Sequence, residues 1–250
     1  MLRLILLAAT CLIAGTQHSD DLRSLEPEPW VSVWARKGAP AEKPSSVQDL
    51  IRVNGYEFAE DYLKVMQAYA NYMRPYPADG VLCDIGCGSG AFLRVIPRVK
   101  VVLCIDLSQG LLKTSAEYNR TAPIVHLSRD ATDLWGIPTG LCDITITMSV
   151  LQYLDDTQAL QRATAEALRV TAPHGRAYFC DVWDGDKALY EAHRRTVGLA
   201  QSNHLFVPKS YWRSHRGATV YDLGDLLPQA HRYYYNSNWS YVVRVNKSDK

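Results

Sequence analysis

Five short apolar runs punctuate the chain: Val81 to Ile85, Val101 to Ile105, 124–127, 141–148 and 176–182. Their length and their wealth of Val, Ile, Leu and Cys predict strands buried on both faces. Between and before them the spacing changes. Phe58, Tyr62, Met66, Tyr69 and Met73 recur every three or four residues, which predicts an amphipathic helix that Pro75 and Pro77 end. Further helices are expected through Ala91-Phe92-Leu93, from Ser108, whose hydroxyl suits an N-cap, and from about Asp156 to Val170. Apolar strands alternating with helices predict an α/β fold whose parallel sheet is covered on both faces. The tail differs: a run from Ala218 to Leu223, a short helical turn, then alternation from Tyr233 to Val245.

The first strand stops at Asp84 and enters Ile85-Gly86-Cys87-Gly88-Ser89-Gly90. Alternate glycines let the backbone take positive φ and lie close to a ligand. Twenty residues past Gly86 the second strand ends in Asp106, the spacing at which a carboxylate meets ribose hydroxyls. The pair reads as a nucleoside-binding half-site. Gly86, Gly88 and Ala91 also satisfy the loose dinucleotide pattern, so a nicotinamide oxidoreductase is an alternative. Asp84 weighs against it, because a carboxylate there repels a pyrophosphate and suits a ligand bearing an ammonium or sulfonium.

With that motif the chain resembles the class I S-adenosylmethionine-dependent methyltransferases, over about residues 51–250. The resemblance implies a Rossmann-like, doubly wound sheet of seven mostly parallel strands, with an antiparallel last strand inserted between the fifth and sixth. It implies S-adenosylmethionine as cofactor, held by Asp84, Gly86, Cys87, Gly88 and Gly90 at its methionine end and by Asp106 and Leu107 at its ribose. Asp130 and Ala131, after the third strand, would meet the adenine. Ser149, after the fourth, would line the pocket, with Gln152 and Tyr153 facing cofactor or acceptor. No metal is expected. A non-catalytic binding protein on this fold is a second alternative, which the intact glycine motif and Asp106 oppose.

Methyl transfer needs alignment and an unprotonated nucleophile, and an acceptor hydroxyl profits from a general base. Asp181 or Asp184 after the fifth strand, and His204 or His215 in the following insert, are candidates. From Arg194 to Arg216 that insert holds five Lys/Arg, two His and no acid. Lys209, Tyr211 and Arg213 are therefore expected to cap the acceptor pocket and favour an anionic small molecule. The run from His204 to Trp212 also resembles a segment in methyltransferases of small molecules and sugars, which implies a sugar-like acceptor as well.

Bulk properties add little. The 250 residues carry 27 basic and 26 acidic side chains, a formal net charge of +1, so no global footprint for nucleic acid appears. The six cysteines are expected as free thiols, four of them in buried strands, rather than as a disulfide framework. Residues 1–16 place Arg3 before an apolar stretch too short to span a bilayer, the layout of a secretory signal. That layout points to secretory or organellar targeting, with a cytoplasmic enzyme as the alternative. Residues 17–50, with Pro27, Pro29, Pro40 and Pro44, read as an extended linker on which Trp30 and Trp34 could dock. The sequence leaves oligomeric state open.

Overall fold

Seven strands form one sheet in the order β3-β2-β1-β4-β5-β7-β6. In this computed structural model they are β1 (Val81–Ile85), β2 (Val101–Asp106), β3 (Ile124–Ser128), β4 (Cys142–Met148), β5 (Thr171–Trp183), β6 (Ala218–Asp222) and β7 (Ser240–Asn246). β1 runs parallel to β2 and β4, and those to β3 and β5, whereas β7 lies antiparallel between β5 and β6. This is the sheet the methyltransferase resemblance implied. The structure describes residues 29–36, 44–54, 59–118, 123–184, 204–226 and 240–248. The signal-like segment, Phe58, Arg194 and Arg195 lie outside them.

Period-two alternation divides the core between the two faces. Leu82, Cys104, Ile146 and Tyr178 meet Tyr62, Met66 and Tyr69 of helix α3 (Ala59–Tyr72) on one face. Cys83, Ile85, Ile105 and Phe179 meet Leu160, Ala167 and Trp212 on the other. Leu160 and Ala167 belong to α5 (Thr157–Val170), whose buried Ala159, Leu160, Ala163, Thr164, Ala167 and Val170 form one stripe. Asp156 caps it by accepting from Ala159 N at 2.7 Å. Helix α4 (Gln109–Tyr118) starts beneath Ser108, whose Oγ accepts from Leu111 N at 3.2 Å.

Several expectations need correction. Only a 3-10 turn, Phe92–Arg94, stands where a helix after β1 was expected. The glycine turn consumes the residues up to Gly90 and Pro97 closes the segment, leaving too little chain for helix nucleation. The stretch 17–50 is not wholly extended either: α1 (Trp30–Arg36) and the start of α2 (Val47–Val53) fall within it. Ser46 and Asp49 make a reciprocal capping box that explains where α2 begins. Among the described residues no helix is long and apolar enough to cross a membrane.

The largest difference concerns the cysteines. Cys83 is bonded to Cys142 on the neighbouring strand, with Cα atoms 5.8 Å apart, and Cys87 to Cys104, at 5.4 Å. The register sets Cys83 opposite Thr145, but β4 is irregular between Cys142 and Ile144, which turns Cys142 onto the face of Cys83 while Ile144 packs on the other. The glycine turn folds Cys87 back over β2 to reach the second. Cys180 is a buried free thiol, pushed well above its usual pKa by burial and then by the charges of Asp181 and Asp84.

Candidate functional site

A cleft opens beyond the carboxyl ends of β1, β2 and β4, where the strand order reverses and α/β sheets bind ligands. Its floor is the glycine turn. Gly86 and Cys87 donate their backbone N–H groups to Ile105 O at 2.7 and 3.1 Å, so the turn is tied back to β2. Gly86 and Gly88 have φ of 78° and 56°, a conformation that disfavours any side chain. A Cβ on Gly88 would meet Asn54 Oδ1 at 2.7 Å, and one on Gly86 would meet Val150 Cγ2 at 2.3 Å. The space the glycines leave is thus shared with protein neighbours, not with ligand alone as the sequence reading supposed. Asn54, at the end of α2, lines the cleft and accepts from Ser89 N at 2.9 Å. Sequence reasoning missed it; its one local signal is an Asn at a helix end.

Asp106 joins the turn to α4. Its Oδ2 accepts from Gly88 N and its Oδ1 from Ser108 N, both at 2.8 Å. Burial raises this carboxyl's pKa against the lowering effect of those N–H donors. Asp84 is 2% exposed, lines the same cleft, and its Oδ2 has no hydrogen-bond partner. Burial, and after it the charge of Asp106, pushes its pKa up to about 7. An orphaned carboxylate oxygen beside a glycine turn fits a cationic ammonium, and the Asp106 carboxylate keeps acceptor capacity beyond its two backbone donors. The residues present therefore fit S-adenosylmethionine.

Leu107, Asp130, Ala131, Ser149 and Tyr153 also line the cleft. Asp130 is exposed and accepts from Thr132 N at 2.7 Å. Ser149 Oγ lies 2.9 Å from Tyr62 Oη and donates to Asp181 Oδ2 at 2.5 Å. Tyr62 of α3 lines the cleft as well; the sequence placed it in a packing stripe, and the resemblance allowed such aromatics to close over a cofactor. Helix α1 forms another wall. Trp30 and Trp34, one turn apart, set their rings 4.8 and 4.9 Å from Tyr153. His204 stacks between Trp30 and Trp183 at 4.5 and 4.7 Å, behind that wall, which makes it a packed ring rather than an exposed base.

Other expected site residues are not brought to the cleft. Gly90 and Gln152 are buried outside its lining. Lys209 pairs with Asp222 and lies 3.7 Å from Asp184, so acids from β6 and just past β5 answer this one cation of the insert. Tyr211 donates to Thr164 of α5 at 3.2 Å. Trp212 is buried against Phe179, and His215 rests on Trp212, 5.3 Å between ring centroids. Arg213 is exposed in the same 3-10 turn, Lys209–Ser214. The apolar side chains of this segment, Val207 and Trp212, draw it onto the α5 face of the sheet.

Comparison with known proteins agrees with this geometry. Residues 83–179 match the family model described as a methyltransferase domain. The chain is 30% identical over 125 residues to chondramide synthase cmdD of Chondromyces crocatus, covering 48% of this chain and 3% of that protein. It is 24% identical over 155 residues to the tRNA (carboxymethyluridine(34)-5-O)-methyltransferase ALKBH8 of Macaca fascicularis, covering 57% and 22%. It thus spans a small part of the length of these relatives. The fold is shared with N-methyltransferase NodS of Bradyrhizobium japonicum, solved with S-adenosyl-L-homocysteine (TM-score 0.55, 14% identity, 89% of this chain and 100% of that one). It is also shared with phosphoethanolamine N-methyltransferase 1 of Haemonchus contortus (TM-score 0.60, 13% identity, 88% and 49%). Over residues 83–179 the chain is thus similar in sequence to a methyltransferase domain, on a fold it shares with methyltransferases solved with S-adenosyl-L-homocysteine.

Proposed function

We propose that the chain transfers a methyl group from S-adenosylmethionine to a small polar acceptor, at oxygen or nitrogen. The observation that carries the size of the acceptor is helix α1. Trp30 and Trp34 wall the cleft and rest edge-on against Tyr153 from beyond β4. A cleft so walled suits a metabolite better than a polynucleotide, and the net charge of +1 offers no phosphate track. In this reading Asp84 receives the cofactor's ammonium, the turn from Gly86 to Gly88 passes under its methionine end, and Asp106 accepts from its ribose. Asp130 and Ala131 meet the adenine. Bound S-adenosylmethionine supplies an electrophilic methyl carbon on a sulfonium whose sulfur takes back the bonding pair. The chain's residues supply alignment, which in favourable cases is worth about 7–11 kcal/mol.

The experiment is a transfer assay with methyl-labelled S-adenosylmethionine, run against a low-molecular-weight cell extract and, separately, against total tRNA. Label in small-molecule products supports the reading. Label confined to tRNA, the substrate named for one relative, overturns the small acceptor but leaves the transfer. Label in neither overturns both.

A further inference from the structure

We propose that Ser149 and Asp181 form a proton relay that deprotonates the methyl acceptor, with Tyr62 setting its direction; this rests on the transfer reading above. The first observation is the bond order. Ser149 has one hydroxyl proton, and it is given to Asp181 Oδ2 at 2.5 Å, within the range of charge-assisted O–H···O⁻ bonds. Tyr62 Oη, 2.9 Å from Ser149 Oγ, must then be the donor in their contact. With Asp181 ionised, the two bonds point the same way, from Tyr62 through Ser149 to the carboxylate. Ser149 Oγ retains a second lone pair, and Ser149 lines the cleft whereas Asp181, 2% exposed, does not.

The second observation is how the backbone brings these groups together. Phe179 and Val182 both pack on the α5 face, although strict alternation would send them to opposite sides. The pairing of β5 with β7 shifts between these two residues, so an extra residue is bulged there. The bulge holds Asp181 at φ 53°, and Ser149, at the end of β4, stands at φ 55°. Neither is glycine, and such backbone persists only where the surrounding structure over-determines it, commonly beside active sites. Here it re-aims Asp181 from the α5 face to the α3 face, where Tyr62 stands.

The step balances without a further reactant. The acceptor O–H or N–H bond breaks and its proton forms a new bond to Ser149 Oγ. The former Ser149 proton forms a bond to Asp181 Oδ2, which becomes neutral. The electron pair left on the acceptor atom is the pair that takes the methyl carbon. Ser149 is thus the catalytic residue, while Asp181 and Tyr62 are positioning residues that act through it.

The test uses the full chain, methyl-labelled S-adenosylmethionine and the same low-molecular-weight extract. Asp181→Asn keeps an oxygen that can accept from Ser149 but cannot take its proton. Transfer should fall on the order of 100-fold in Asp181→Asn and in Ser149→Ala, the scale of general-base catalysis. The double variant should be no slower than either single one, because the two act as a unit. Affinity for S-adenosylhomocysteine should stay within about two-fold by calorimetry, and heavy water should slow the wild type but not the variants. Near-normal transfer by Asp181→Asn overturns the relay. So does a loss of S-adenosylhomocysteine affinity that accounts for the whole drop, since that assigns a purely structural role. Absence of any labelled product from the wild type overturns the reading beneath it, and the relay falls with it.

Discussion

Asp106 Oδ2 accepts from the backbone N–H of Gly88 at 2.8 Å, so the acid that ends β2 pins the turn that ends β1. The other oxygen of the same carboxylate accepts from Ser108 N, and both oxygens already face donors before a ribose arrives. This makes Asp106→Asn more than a loss of charge. One carboxylate oxygen becomes an NH2 group facing a backbone N–H. Hydrogen bonds to a charged group are worth about 1.5–3 kcal/mol, so S-adenosylhomocysteine affinity should fall by roughly one to two orders of magnitude. Calorimetry on the variant measures it, and unchanged affinity would remove Asp106 from the cofactor site.

Asp84 gives a pH dependence with a definite sign. Its carboxyl is raised from the usual value of 3.8 to about 7 in the folded chain. Between those limits the folded state holds a proton that the unfolded state has lost, so the ligand-free protein loses stability as pH rises from about 4 to 7. Asp84→Asn should flatten that slope in urea melts. Binding of a ligand ammonium favours the ionised carboxylate, so S-adenosylhomocysteine affinity should rise with pH over the same window. Calorimetry at pH 6 in buffers of different ionisation enthalpy should report proton release, and no dependence on buffer would count against the Asp84 contact.

Much of this site was legible because it is local in sequence. Asp84, the glycines and Asp106 lie within 23 residues, and their spacing alone marks two strand ends and the turn between them. Asn54, Tyr62 and the bulge at Asp181 could not be read that way, since each depends on how distant elements register. The same holds for Cys83 and Cys142, separated by 59 residues and brought to one face by the irregular start of β4. At Lys209 the segment was read too locally, for the opposite reason. Its charge was counted within one segment, whereas Asp222 answers it from β6.

The glycine turn can be tested for steric cause. Gly86→Ala puts a Cβ 2.3 Å from Val150 Cγ2 and holds alanine at φ 78°. Left-handed backbone costs about 1–2 kcal/mol for a residue with a Cβ, and overpacking typically 1–3 kcal/mol more. Gly86→Ala should lower the urea midpoint accordingly, and adding Val150→Ala should return the packing share but not the backbone share. Full recovery in the double variant would show that backbone conformation costs nothing here.

The two bridges predict a chemical count. Thiol titration of the denatured protein should rise by four on reduction, because Cys83, Cys87, Cys104 and Cys142 are paired. In the chain-entropy account, closing spans of 17 and 59 residues contributes about 3 and 4 kcal/mol. Denaturation with a phosphine reductant present should therefore occur at distinctly lower urea. Equal midpoints with and without reductant would mean the bridges do not stabilise the fold.

Helix α1 and Asn54 precede the segment that matches the methyltransferase family, residues 83–179, while Asp181 follows it. The cleft is therefore assembled from the matched segment and from chain that precedes it. Exchanging residues 83–179 with those of a relative should carry the cofactor turn across nearly whole. Trp30, Trp34 and Tyr62 would stay with the host, whereas Tyr153 and Ser149, which they touch, would leave with the exchanged segment, so the enclosure would have to be rebuilt across that seam.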